Sequence, residues 1–374
     1  MKKILAVALA GVLSCSLLLG CGKSANEVAQ SKAENTEAET EVKEEKESEK
    51  ADAAEKKGIR VCIVYTGNLG DKSYNDSCNA GAKKAVEDFG IELKSLEGTT
   101  AQEWEANLVA ACEEGYDLII GASSNIADYI TEHAPNYPDV KFAVIDTTVD
   151  LDNVESISFA QNQGSFLAGA AAAMFTQKTD IPNVNDANVI GWVGGMDIPV
   201  LHDFYIGYEQ GAKYINPDIK ILQAFAGSWT DPLKGKELTL AQYEQGADIV
   251  MNVASGTGTG ILEAAKEADK YAIGVDLNQD ADQPGHILTS MVKRVDNACY
   301  LVIQSVVDGS FKGENALLGA DTDSTGYVSA DGRQQLSAET LEKLADVYKK
   351  VQSGEIVPAA NFNNMTPDDF TGLK

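Results

Sequence analysis

The chain has 374 residues, room for two to three domains at ~150 residues each, every one with a core of its own. Apolar residues make up 44%, charged residues 23% and aromatics 7%, which excludes a miniprotein, a disordered chain and a bundle of membrane spans. The 30 basic and 57 acidic side chains leave a formal charge of −27, and residues 58–374 alone still carry −25. So acidic a body repels polyanions, and with no basic patch beyond Lys56-Lys57 and Arg60, nucleic acid is excluded as a partner.

Lys2 and Lys3 precede an apolar run from Ile4 to Leu19, too short to span a bilayer comfortably, which closes on Leu18-Leu19-Gly20-Cys21. This has the form of a bacterial lipoprotein signal over residues 1–20, with cleavage before Cys21 and lipid on Cys21. Two or more acyl chains anchor a protein durably, so the expected location is the cell membrane, lipid-anchored and facing outside the cytoplasm. Residues 21–57 are Glu, Lys, Ala, Ser and Thr with Val28 and Val42 as the large aliphatics, a composition that cannot offset its ordering entropy and reads as a flexible tether. The remaining cysteines, Cys62, Cys78, Cys112 and Cys299, have no metal-ligand spacing and are expected as buried free thiols.

From Ile59 onward, short apolar runs alternate with amphipathic stretches. Strands are predicted at 60–65, 91–96, 118–120, 141–145 and 156–159, with helices at 75–89, 102–114, 125–134 and 166–175 between and after them. The rhythm restarts with strands at 189–193, 220–225, 249–253, 271–274 and 286–290, and helices at 200–215, 232–245, 261–268, 292–307 and 341–351. Strand-helix repetition of this kind implies parallel sheets covered on both faces, here an α/β protein with two similar Rossmann-like units in series.

In open α/β sheets ligands sit beyond the carboxyl ends of the strands. Polar clusters follow the predicted strands: Gly70-Asp71-Lys72-Ser73-Tyr74-Asn75, then Asp146, Gly227-Ser228-Trp229-Thr230-Asp231, Ala254-Ser255-Gly256, Gly274-Val275-Asp276 and Ser290-Met291-Val292-Lys293. Two aromatics, several carboxylates, two lysines and a glycine-rich turn suit a neutral, flat, hydroxylated ligand. Lys293, read as opening a helix, would face the positive end of the dipole, an unfavourable place for a surface lysine.

Four segments together resemble the basic membrane protein family: Gly70-Asp71-Lys72-Ser73-Tyr74-Asn75, Gly164-Ser165-Phe166-Leu167-Ala168-Gly169, Gly191-Trp192-Val193-Gly194-Gly195-Met196-Asp197, and Ser290-Met291-Val292-Lys293-Arg294-Val295-Asp296. Its members are lipoprotein substrate-binding proteins of ABC importers, of the purine nucleoside receptor type, and the resemblance covers about Ile59 to Gly326. It implies a type I periplasmic-binding-protein fold, two lobes joined by a three-segment hinge. Lobe 1 would span 58–160, completed by about 284–322, and lobe 2 would span 161–283, completed by 323–374. Crossings would fall near Phe159–Gln163, Asp280–Gly285 and Gly319–Gly326.

By the same resemblance, Tyr74 and Trp229 would stack on the two faces of a base. Asp276 would accept both ribose hydroxyls while Lys293 donates to one. Asn75, Asp146 and Asn125 would read the base edge, and Gly256 would let the backbone approach the sugar. Where the family commonly has an acid after the first strand this chain has Tyr65-Thr66, and Tyr74 and Trp229 stand where phenylalanines are common. The implied partners are a nucleoside, purine foremost, and the ABC permease and ATPase subunits.

Competing readings fare worse. A sugar or a flavin in the same architecture would require the stacking pair to serve another ring. A nucleoside-cleaving enzyme would want a nucleophile and a base, yet there are 3 histidines in separate segments and no Gly-x-Ser-x-Gly elbow. Asp276-x-Asn278-x-Asp280-x-Asp282 imitates a calcium loop until Ala281 and Ile287 stand where Gly and Glu belong. No cofactor or metal is expected.

Overall fold

The computed structural model describes residues 58–329 and 336–360; the expected signal, Cys21 and the tether lie outside them. Along β1 (Arg60–Tyr65), Val61, Ile63 and Tyr65 enter one apolar cluster while Cys62 and Val64 enter another. Successive side chains of a strand point to opposite faces, so a run apolar throughout must be covered on both. Its sheet has the order β11 (Asn315–Leu318), β5 (Val154–Phe159), β4 (Lys141–Ile145), β3 (Leu118–Ala122), β1, β2 (Glu92–Glu97), all parallel. One face is covered by α1 (Tyr74–Phe89) and α8 (Val295–Val307), the other by α2 (Ala101–Glu114) and α3 (Ala127–His133). Between α1 and α8, Cys78 and Cys299 bring their sulfurs to 2.7 Å. All four cysteines among the described residues are free and buried.

The second sheet repeats the plan: β12 (Thr325–Tyr327), β10 (Ile287–Lys293), β9 (Tyr271–Asp276), β8 (Ala247–Val253), β6 (Val189–Gly194), β7 (Lys220–Phe225). Only β12 runs antiparallel, against β10. Helices α4 (Gln161–Thr176), α5 (Pro199–Ile215) and α9 (Ala338–Gln352) pack on one face and α6 (Pro232–Glu244) and α7 (Gly258–Glu267) on the other. The small residues of α4 are explained by its crossing with α5, where a Cβ on Gly169 would lie 2.0 Å from the Tyr208 carbonyl oxygen and one on Gly211 1.8 Å from that of Phe166. Read from its far edge, each sheet has the doubly wound order 2-1-3-4-5, whose crevice lies between the first and third strands.

The chain passes between the sheets after β5, between β10 and α8, and between β11 and β12. The expected crossing near Asp280–Gly285 is therefore corrected. Residues Ile287–Lys293 pair with β9 in the second sheet, so the part completing the first lobe starts at α8 and not at 284. The apolar run Met291-Val292 continues the strand and merges with the apolar face of α8, which is why it reads as helix. Lys293 accordingly ends a strand, paired with Thr325, and the helix-dipole reading of it does not hold. Strands β11 and β12, of 4 and 3 residues, were too short to stand out. Among the described residues, no helix is long and apolar enough to cross a membrane.

Candidate functional site

The carboxyl ends of both sheets face one cavity between the lobes. Its lining includes Thr66, Tyr74, Asn75, Ser123, Ser124 and Asp146 from the first lobe. From the second come Ile198, Val200, Leu201, Phe204, Trp229, Val253, Ala254, Ser255, Val275, Asp276 and Lys293. The first lobe thus supplies a mainly polar wall and the second a mainly apolar one. Such a division suits a flat ring with one hydrogen-bonding edge.

Six of the eight expected ligand residues line this cavity: Tyr74, Asn75, Asp146, Trp229, Asp276 and Lys293. Gly256 lines the outer part of the cleft with Gly67, Asn68 and Thr230, and a Cβ there would meet the Trp229 carbonyl oxygen at 3.1 Å. Asn125 is outside the cavity lining: it sits in the 3-10 turn Ser124–Ile126 and its backbone N–H donates to Ser123 Oγ at 3.1 Å. The cavity at that point is lined by Ser123 and Ser124 instead.

Tyr74 opens α1, and the turn that precedes it is held by Asp71. Asp71 accepts backbone N–H bonds from Ser73, Asn75 and Asp76 at 2.9–3.1 Å, doing the work of a helix cap. The hydroxyl of Ser73, at the N-cap position, makes no capping bond. Burial and the nearby Asp146 carboxylate push the Tyr74 phenol well above its ordinary pKa, so the ring stays neutral.

Lys293 Nζ donates to both Asp146 oxygens, at 2.6 and 2.7 Å, and its side chain is 1% exposed. Around the same ammonium stand the rings of Phe159, Phe204 and Tyr74, with centroids 5.1, 5.3 and 5.4 Å away. A buried cation is tolerable when paired and surrounded by aromatic faces. Phe204 was not legible as a site residue, because on α5 it follows the same spacing as core positions.

Asp146 follows β4 and Asp276 ends β9, equivalent places in the two lobes, and both adopt positive φ, 69° and 66°. A non-glycine residue there carries strain that the surroundings must hold. Burial raises the Asp276 carboxyl to about 6; Lys293 and the Ser73 hydroxyl oppose that rise, while Asp71 and Asp146 add to it. Two of the acids that imitated a calcium loop are engaged elsewhere, Asp276 accepting from Ser73 Oγ and Asp282 pairing with Lys72 Nζ at 2.8 Å, and the amide Asn278 Oδ1 accepts from the Asp280 backbone N–H at 3.1 Å. Trp229 projects from the loop before α6, its indole against Gly195, where a Cβ would lie 2.4 Å from the ring.

Comparison with known proteins agrees with this architecture. The family model described as ABC transporter substrate-binding protein PnrA-like matches residues 59–361. An ABC transporter nucleoside-binding protein of Lactococcus lactis is 33% identical over 285 residues, 69% of this chain and 78% of that protein. An uncharacterised lipoprotein of Pyrococcus abyssi is 30% identical over 364 residues, 93% of this chain and 83% of that protein. A solved ABC transporter solute-binding protein of Aeropyrum pernix superposes with a TM-score of 0.72 at 29% identity, covering 80% of this chain and 92% of that one. The fold is that of type I periplasmic solute-binding proteins, and the family is one of substrate-binding proteins and not enzymes. With the family match running from β1 past α9, the protein belongs to the basic membrane protein family of ABC transporter substrate-binding proteins.

Proposed function

We propose that the protein captures a nucleoside, purine foremost, between its two lobes outside the cytoplasmic membrane and delivers it to an ABC permease, while lipid on Cys21 and the tether keep it at the membrane surface. The observation that carries this reading is the lining of the interlobe cavity. Two rings, Tyr74 and Trp229, share it with Asp276 and the Lys293–Asp146 pair, the mix of flat apolar and hydroxyl-binding surface that a base joined to a sugar requires. A base held between two rings gains ~1–3 kcal/mol from each stacked contact. Asp276 accepts ribose hydroxyls, Lys293 donates to one, and Asn75, Asp146, Ser123 and Ser124 meet the base edge. Gly256 borders the mouth of the cleft. The nucleoside-binding name of the Lactococcus lactis relative and the lipoprotein name of the Pyrococcus abyssi relative support the same reading.

The test is mass spectrometry of small molecules released on denaturing the purified protein, followed by calorimetric titration with guanosine, adenosine, inosine, cytidine, riboflavin and ribose. An intact purine nucleoside, bound in the micromolar range or tighter, is the expected result. Ribose or riboflavin binding alone would keep the fold and discard the nucleoside. Free base plus ribose would mean cleavage. For the anchor, mass spectrometry of the N-terminal peptide should find Cys21 first in the chain and acylated.

A further inference from the structure

Two serines, one from each lobe, donate across the cleft to a carboxylate of the opposite lobe. Ser73 of the first lobe donates from Oγ to Asp276 Oδ2 of the second. Ser255, just after β8 in the second lobe, donates from Oγ to Asp71 Oδ2 of the first at 2.7 Å. Ser73 is fully buried and Asp71 and Asp276 nearly so. The two contacts are reciprocal, and each engages a residue already fixed within its own lobe: Asp71 holds the start of α1 through three backbone N–H groups, and Asp276 ends a central strand.

Beside the Lys293–Asp146 pair, which also joins the lobes, the same seam has two further links. Gln279 Nε2 donates to the Lys72 carbonyl oxygen at 3.0 Å, and Lys72 Nζ pairs with Asp282 at 2.8 Å. Lys72, Ser255 and Asp276 sit at φ of 54°, 49° and 66°, strained conformations that persist where surrounding contacts over-determine them. Each of these links joins protein groups of the two lobes directly.

We propose that Ser73 and Ser255 are closure residues: their reciprocal bonds to Asp276 and Asp71 hold the lobes shut, and Ser73 also orients Asp276 toward the cavity. The proposal rests on the receptor reading only in taking lobe closure as the capturing motion. A ligand then adds its contacts to a closed state that the empty protein already populates, and the serines set how long the ligand stays.

Closure is read without ligand, by the distance between spin labels at Lys83→Cys and Glu244→Cys in the full chain carrying Cys15→Ser and Cys21→Ser, freed of bound small molecules by unfolding and refolding. Both label sites are exposed, and the four native thiols of the folded body are buried. The unsubstituted serines should give a dominant short distance. Ser255→Gly removes the hydroxyl while suiting the positive φ and should shift a substantial fraction to a longer distance; Ser73→Ala with Ser255→Gly should make the longer distance dominant. Where a nucleoside binds, its dissociation should speed at least tenfold in the double variant, and the pH at which binding weakens should move with Ser73→Ala but not with Ser255→Gly. An unchanged distance distribution in Ser255→Gly and in the double variant, with circular dichroism intact, would overturn the proposal, as would an open state already dominant with both serines present. Failure to bind any nucleoside would sink the receptor reading and leave the distance result standing.

Discussion

Lys293 and Asp146 meet across the cleft, the ammonium placed between both carboxylate oxygens at 2.6 and 2.7 Å. One partner ends a strand of the second sheet and the other follows a strand of the first. Removing one member of a buried ion pair leaves the other without compensation, at a cost of about 3–5 kcal/mol. Lys293→Met should therefore lower the melting temperature markedly and abolish nucleoside binding. Adding Asp146→Leu should recover much of the melting temperature and none of the binding; thermal denaturation and calorimetry on the single and double variants separate the two effects.

Gly195 offers a way to disturb Trp229 without removing it. A methyl group there would stand 2.4 Å from the indole, so Gly195→Ala must push the ring out of place. Affinity for a purine nucleoside should fall at least tenfold, in line with the ~1–3 kcal/mol of a stacked base, and Trp229→Ala should do the same. Far-UV circular dichroism should not change in either variant. Full affinity in both would remove Trp229 from the site.

The pH dependence of binding follows from Asp276, whose carboxyl is raised to about 6. Two ribose hydroxyls need an ionised acceptor, so the ligand prefers the deprotonated form and binding releases a proton where the empty site is protonated. Affinity should be flat above about pH 7 and fall toward tenfold per pH unit well below 6. Asp276→Asn should bind weakly with that dependence removed. Titrations between pH 5 and 8 decide it; a flat profile in the unsubstituted protein excludes Asp276 as an ionised acceptor.

Stability should carry a second titration, far from the cleft. Glu155 on β5 is raised to about 7, first by burial and then by the neighbouring Glu314. In the pH window between the ordinary carboxyl value, 4.5, and about 7, the folded state holds a proton that the unfolded state has lost. Stability therefore falls as pH rises through that window. Glu155→Gln should raise the melting temperature at pH 8 and leave it nearly unchanged at pH 5. Equal shifts at both values would mean that Glu155 does not titrate there.

Apolar runs such as Arg60–Tyr65 and Lys141–Ile145 coincide with their strands to the residue, because a strand buried on both faces has no polar interruption to blur its ends; the edge strand Lys220–Phe225 also coincides, though it is only partly buried. Polar clusters after strands likewise pointed to the cavity, since loops at the carboxyl ends of a parallel sheet converge there. What stayed hidden depends on contacts between distant segments. Ile198, Leu201 and Phe204 on and beside α5 form much of the apolar wall, yet as sequence they match any core-facing helix. The crossing between β10 and α8 was displaced because Met291-Val292 and Val295 form one apolar stretch on both sides of a single turn. Ser73 and Ser255 lie within the polar clusters but show no role of their own there, as a serine before a helix reads as a cap until its partner in the other lobe is seen.

The three crossings give the molecule a lever. They leave from β5, β10 and β11 and arrive at neighbouring elements, so all of them lie toward one edge of both sheets, while β2 and β7 form the opposite edges. With strands ~4.8 Å apart, four to five intervals separate the crossings from the far edges, about 19–24 Å, so a turn of about 20° moves those edges by ~7–8 Å. A small twist in three short linkers is thus enough to admit or seal off a ligand on the side of β2 and β7, while the residues nearest the hinge, Lys293 and Asp146 among them, travel least.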